Sequence, residues 1–181
     1  MKKTVLLAAL AMMAGAIFAQ KKVTTSATIS FDASTPKDEM PKAKNNTVVA
    51  SLDTKTGTLA FEALIKGFTF GNPNMQEHFN GGSWMNSEKF PSSVFTGTIT
   101  NLSEVNFKKD GTYMAIVEGD LTLHGVTQKV KTTGSFIVAG KVITATADFS
   151  VKLADYGVNG GAIAAGKVAN EPKITVSAEL K

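Results

Sequence analysis

Residues 143–153, ITATADFSVKL, alternate strictly between apolar and polar side chains. Successive side chains of a β-strand point to opposite faces of the sheet, so this period of two predicts a strand with one apolar and one hydrated face. The same pattern recurs in seven further segments, whose apolar positions begin at Ala27, Val48, Leu59, Phe95, Val117, Val130 and Ile174. The chain is therefore predicted to be all-β, with eight strands.

The connections between these segments indicate how the strands are arranged. Most are short and contain Gly or Asp, as at residues 53–57, 108–111, 124–125 and 139–140. Short connections favour an antiparallel meander, and eight strands can close into a barrel that has no exposed edge. Residues 73–80 begin with Pro and place Met75 and Phe79 at helical spacing, which predicts a short helix against one end of the barrel. The Gly-rich residues 155–172 suggest a mobile excursion before the last strand.

The first 19 residues predict export. Lys2 and Lys3 precede an apolar run that ends in small residues at Ala16 and Ala19, which is the layout of a secretory signal peptide. The run is too short to remain as a membrane-spanning helix. We expect residues 20–181 to form one domain that functions in the periplasm, with secretion beyond it as the alternative.

Composition argues against several classes of function. The chain has no cysteine, which excludes thiolate metal sites and cysteine nucleophiles, and its basic residues are all Lys, whereas nucleic-acid binders normally use Arg as well. The two histidines, His78 and His124, are far apart in sequence and show no metal-ligand spacing. No serine lies in a Gly-x-Ser-x-Gly motif. We expect no catalytic residue, no metal site, no nucleic-acid partner and no cofactor other than a bound lipid. An enzyme acting on a lipid-linked substrate would need one of the histidines beside a carboxylate.

Aromatic residues are concentrated between residues 61 and 95, where they form either an ordinary core or the mouth of an apolar pocket. An eight-stranded barrel is just wide enough to be filled by side chains or to hold one slender ligand. Small residues on the apolar faces favour a cavity: Ala27, Ala50, Gly97, Gly119, Gly134, Ala145 and Ala147. The predicted lining residues are Leu59, Phe61, Phe95, Leu121, Leu123, Phe136 and Phe149. The predicted entrance residues are Phe68, Phe70, Met75, Phe79 and Phe90.

Three stretches resemble one known family. They are FTF at 68–70 followed by NMQEHFN at 74–80 and MNSEKFPSSVF at 85–95, then EGDLTLHGVTQ at 118–128, then FSVKLADYGV at 149–158. Together they are similar to the YceI-like family. The resemblance implies a lipocalin-like, eight-stranded antiparallel barrel that carries a polyisoprenoid lipid in the periplasm without established catalytic residues; some members are homodimers. Many members have an Arg-Asp pair before the histidine that corresponds to His78, whereas this chain has Gln76 and Glu77 there.

Two functions remain open from the sequence. The first is a carrier that holds a long apolar lipid inside the barrel. The second is a structural or stress-response module of the cell envelope, whose filled barrel binds a protein partner on its surface. A hollow interior favours the first function, and a solid interior favours the second.

Overall fold

The structure, a computed structural model, describes residues 20–181, so the predicted signal peptide lies outside the described residues. The strands are β1 (Lys21–Asp32), β2 (Lys42–Asp53), β3 (Thr58–Leu64), β4 (Thr69–Phe70), β5 (Ser92–Ile99), β6 (Gly111–Leu123), β7 (Val126–Ala139), β8 (Val142–Ser150) and β9 (Lys173–Leu180). The helices are α1 (Pro73–Asn80) and α2 (Gly161–Ala164). Single 3-10 turns occupy Ile65–Gly67, Leu102–Glu104 and Leu153–Tyr156.

The eight long strands form a closed antiparallel barrel. They pair in the order β1-β9-β8-β7-β6-β5-β3-β2, and β2 pairs with β1 to complete the circle. This confirms the predicted all-β, eight-stranded, lipocalin-like barrel, and each predicted strand coincides with one of these eight. The short strand β4, which was not predicted, adds to β2 through the pair Ala43 and Phe70. Two residues are too few for a period of two to be recognised in a sequence.

The two ends of the barrel differ because its strands alternate in direction. One end carries the β2–β3, β5–β6 and β7–β8 connections, and the barrel near this end is packed solid. Leu52, Ile99, Ile143 and Leu180 meet there, and none is more than 4% exposed. The other end carries the β6–β7 hairpin and three long segments, residues 33–41, 65–91 and 151–172.

Helix α1 forms where it was predicted. The Asn72 side chain accepts a hydrogen bond from the Asn74 backbone N–H at 2.9 Å, and Pro73 occupies the first helical position. Such an N-cap supplies a partner for a backbone donor that has none within the helix. In the part of the chain that the structure describes, no helix is long and apolar enough to cross a membrane.

Residues 155–172 differ from the mobile excursion that was predicted, because they pack on the barrel. Tyr156 and Val158 are 3% and 2% exposed. Backbone and side-chain hydrogen bonds join the segment to residues 33–41, including Thr35 Oγ1 to the Gly166 carbonyl at 2.9 Å. Two buried apolar side chains outweigh the flexibility that its glycines suggested.

Candidate functional site

The half of the barrel near the second end encloses a cavity of about 170 Å³. Leu59, Val117 and Phe136 belong both to the packed core and to the cavity wall, and they form its floor. Inward-facing side chains of seven barrel strands form the side wall. The roof comes from the long segments at this end: Ile65, Phe68, Phe79, Met85, Val151, Leu153 and Pro172.

The cavity wall is almost entirely apolar. Among residues 20–181, 27 border the cavity; only Ser93, Thr132 and Thr146 of these have polar side chains, and none is ionisable. A cavity with such a wall stays free of ordered water, because a water molecule inside would find too few hydrogen-bond partners. The arrangement can therefore desolvate a slender apolar molecule, and among its described residues it offers no general acid, general base or nucleophile beyond the hydroxyl groups of Ser93 and Thr132.

Nine of the twelve residues predicted for the pocket border this cavity. They are Leu59, Phe61, Phe68, Phe79, Phe95, Leu121, Leu123, Phe136 and Phe149. Contact of these side chains with a ligand remains a prediction. Among the small residues, Gly134, Ala145 and Ala147 border the cavity. Ala27 and Ala50 instead lie in the solid half, where other core side chains fill the space that they leave.

Phe70 and Met75 do not border the cavity, contrary to the predicted entrance. The Phe70 ring lies 4.9 Å from the ring of Phe79, which is itself 6.1 Å from Phe31 and 5.9 Å from Phe68. Phe70 therefore supports Phe79 from behind the wall. Met75 lies one helical turn before Phe79 in α1 and is only half-buried.

Phe90 is also placed elsewhere. Its ring packs edge-on against His124 at 4.6 Å, and a Cβ atom built on Gly125 would lie only 2.4 Å from Phe90 Cε1. Phe90 thus packs on the β6–β7 hairpin and does not border the cavity. No sequence pattern links Phe90 to His124, which lies 34 residues further along the chain, so this contact could not be predicted.

The two histidines occupy separate surroundings. His78 is exposed in the last turn of α1, and His124 Nδ1 donates to the Tyr156 carbonyl oxygen at 3.1 Å. Among residues 20–181, no group of three or more His, Asp or Glu side chains could hold a metal ion.

Tyr156 ends the 3-10 turn at the roof of the cavity. Burial raises the pKa of its phenol, and the charge of Asp155 adds to this effect, so the phenol stays neutral.

Several cavity residues were missing from the prediction. Ile174 and Val176 belong to the alternating pattern of β9 and could have been included on that basis. Met85 and Pro172 come from irregular segments, in which no periodicity tells the inner side from the outer side.

A family model described as the YceI-like domain matches residues 12–180. The chain belongs to the YceI-like family. Among solved structures, a polyisoprenoid binding domain from Saccharophagus degradans, implicated in plant cell wall breakdown, superposes with a TM-score of 0.75 at 12% identity, over 90% of this chain and 98% of that one. BcnA of Burkholderia cenocepacia gives a TM-score of 0.71 at 16% identity, over 86% and 96%. The YceI protein of Campylobacter jejuni gives 0.52 at 18% identity, over 74% and 80%. At such identities these likenesses establish the shared barrel fold. No curated protein matches the sequence.

Proposed function

We propose that this YceI-like protein is a non-catalytic carrier that holds a long apolar lipid of the polyisoprenoid class in its barrel cavity. The observation that carries the proposal is the wall of the cavity, which is almost entirely apolar and so favours an apolar occupant over water. The choice of a polyisoprenoid is supported by family membership and by the shared barrel of the polyisoprenoid binding domain from Saccharophagus degradans.

The energetics of burial fit such a ligand. Each methylene group that moves from water into the cavity contributes on the order of 0.8 kcal/mol, before the cost of association. A chain of ten carbons or more could thus be bound without an ionic contact. The narrow interior of an eight-stranded barrel favours a slender molecule over a compact one.

The absence of ionisable groups from the cavity wall supports a binding role over a catalytic one. A reaction on the bound lipid would need a proton donor, a proton acceptor or an activated nucleophile near it. The inward-facing hydroxyls, on Ser93 and Thr132, have no histidine or carboxylate beside them on the wall, and the Thr146 side chain is exposed on the outer face.

The same cavity disfavours the alternative of an envelope module with a filled barrel, because only half of the interior is solid.

We propose that the carrier functions in the periplasm. The basic and apolar pattern of residues 1–19 supports that location.

Two measurements test the proposal. Organic extraction of the purified protein, followed by mass spectrometry, should yield an isoprenoid lipid. After delipidation, the protein should bind a quinone with two isoprene units, detected by quenching of its only tryptophan, Trp84, which precedes Met85 of the cavity roof.

A matched pair of variants locates the binding site. Val176 borders the cavity and Ser177, next to it in β9, is exposed. Val176→Phe should fill part of the cavity and weaken quinone binding by about tenfold or more, whereas Ser177→Phe should bind as the unaltered protein does. A lipid-free protein that also fails to bind added quinone would contradict the carrier function.

A further inference from the structure

Neighbouring strands of the barrel part from each other at three places. Between β1 and β9, pairing is interrupted around residues 24–27. Between β2 and β3, it covers only Val49–Leu52 of β2 and Leu59–Glu62 of β3. Between β7 and β8, it stops at Gly134 and Ala147, so residues 126–133 of β7 and 148–150 of β8 lie beyond the ladder.

Two of these places are closed. Behind the gap between β1 and β9 lie Ala27, Ala178 and Leu180, which are no more than 1% exposed and belong to the solid half. The gap between β2 and β3 is filled by the buried Asn45, whose Nδ2 donates to the Leu64 carbonyl oxygen at 3.0 Å, and by β4. Neither gap leads to the cavity.

The gap between β7 and β8 opens onto the cavity. Val130, Thr132, Ala147 and Phe149 frame it, all four border the cavity, and all are partly exposed. We call this gap the side window. On the roof side it is bounded by the 3-10 turn at Leu153–Tyr156, which is tied to β7 by a hydrogen bond from Gln128 Nε2 to the Asp155 carbonyl oxygen at 2.9 Å.

Little holds the side window shut. One long hydrogen bond crosses it, from Thr132 Oγ1 to the Asp148 carbonyl oxygen at 3.4 Å. The roof of the cavity is much more tightly packed, since Ile65, Met85 and Leu153 are 1%, 5% and 6% exposed. A lipid entering through the roof would have to displace these buried side chains. A lipid entering through the side window would break one weak bond and push aside Val130 and Phe149, which are only half-buried.

The surroundings of the side window are balanced in charge. Lys129 pairs with Asp120 at 2.8 Å, and Lys131 with Glu118 at 2.7 Å on the neighbouring strand. Lys173 pairs with Asp148 at 3.3 Å. A phosphate group at this place would have to compete with a carboxylate for each of these three lysines. An uncharged polar group would need only a hydroxyl partner, which Thr132 provides.

We propose that the side window is the route by which the lipid enters and leaves the cavity, and that an uncharged head group rests there beside Thr132. This inference rests on the proposed function, because it specifies how the same cavity is loaded. The apolar tail would slide between β7 and β8 toward the floor at Phe136.

A reversible cross-link tests the route. By extension of the Gly134–Ala147 register, Thr132 faces Phe149 across the side window. The protein has no cysteine of its own, so the double variant Thr132→Cys/Phe149→Cys can form only the intended disulfide within one chain. Oxidation should slow quinone loading, followed by Trp84 quenching in stopped flow, by about tenfold or more, and reduction should restore it. Comparing the two redox forms of one variant cancels the effect of losing the Phe149 ring.

A matched control places a cross-link elsewhere between the same strands. Ile137 and Thr144 face each other in the intact part of the β7–β8 ladder. Oxidation of Ile137→Cys/Thr144→Cys should leave the loading rate unchanged. Equal loading rates for the oxidised and reduced forms of the window variant would overturn the proposed route. If the unaltered protein itself bound no quinone, the carrier function would fail instead.

A second variant covers the case in which the window disulfide does not form. Ala147→Phe should obstruct the side window and slow loading, whereas Thr144→Phe on the same strand should not. Unchanged loading by Ala147→Phe would also overturn the route.

The head group is tested by competition. An isoprenoid alcohol should displace the quinone at a lower concentration than the diphosphate of equal chain length does. The reverse order would refute an uncharged head group.

Discussion

The ring of Phe95 lies across Gly97, two residues further along β5. A Cβ atom on Gly97 would come within 2.7 Å of Phe95 Cζ, and one on Gly119, which pairs with Gly97 from β6, within 2.8 Å. The two glycines thus make room for an aromatic ring of the cavity wall. From the sequence they were expected to leave room for a ligand, and the structure gives that space to Phe95.

We expect Gly119→Ala to destabilise the protein by about 1–3 kcal/mol, the usual cost of overpacking. The added methyl group would lie 2.4 Å from the Thr96 carbonyl oxygen, which is part of the ladder and cannot move away cheaply. Chemical denaturation measures the free energy of unfolding. Gly71→Ala is the control, because nothing lies within 4 Å of its Cβ position. Equal stability of the two variants would show that the glycine pair is not tightly enclosed.

The sequence was sufficient to predict the strands and most residues of the cavity wall, but not which half of the barrel is hollow. Each strand has one wet and one apolar face, and that alternation is visible without knowledge of its neighbours. Whether an inward-facing residue meets packed side chains or empty space depends on what lies opposite. Ala27 and Ala147 look alike in their strands, yet Ala27 is fully buried in the solid half and Ala147 borders the cavity. Contacts such as Phe90 with His124 likewise depend on how loops return to the barrel.

Asn45 should be the most sensitive polar residue near the cavity roof. It is fully buried, its Nδ2 donates to the Leu64 carbonyl, and its Oδ1 accepts from both the N–H and the hydroxyl of Thr47 at 2.9 Å. Asn45→Ala should cost about 1–3 kcal/mol of unfolding free energy, because it leaves buried groups without partners. The exposed neighbour Asn46 provides the control. If Asn45→Ala and Asn46→Ala unfolded at the same denaturant concentration, the hydrogen bond from Asn45 on β2 to Leu64 on β3 would contribute nothing to the free energy of unfolding.

Asp148, beside the side window, should show a pH-dependent contribution to stability. A hydrogen bond from Thr175 Oγ1 at 2.5 Å, with a smaller contribution from Lys173, lowers the pKa of its carboxyl below the ordinary 3.8. A carboxyl whose pKa is lower in the folded state stabilises the protein above the unfolded pKa, and this contribution is lost as the pH falls through the folded pKa. Thr175→Val should therefore raise the pKa of Asp148, and the stability difference from the unaltered protein should shrink as the pH falls below 3.8.

Carboxyl titration by NMR measures this pKa directly, and denaturation at several pH values measures its effect on stability. The control is Thr144→Val. Thr144 lies on the outer face of β8, the strand that carries Asp148, but makes no hydrogen bond to Asp148. An unchanged pKa of Asp148 in Thr175→Val would mean that the hydroxyl does not stabilise the carboxylate.

His124 should prove to be a structural residue. With φ angles of 51° and 76°, His124 and Gly125 form the two-residue turn of the β6–β7 hairpin, and Asn tolerates a positive φ far better than a β-branched residue does. His124→Asn should cost about 1 kcal/mol through loss of the bond to the Tyr156 carbonyl, and His124→Val should cost about 1–2 kcal/mol more because of backbone strain. Both variants should still bind quinone, since the imidazole does not border the cavity. If His124→Asn folded normally but lost quinone binding or a lipid-directed activity, the imidazole would act on the ligand, and the carrier would have to be reconsidered as an enzyme.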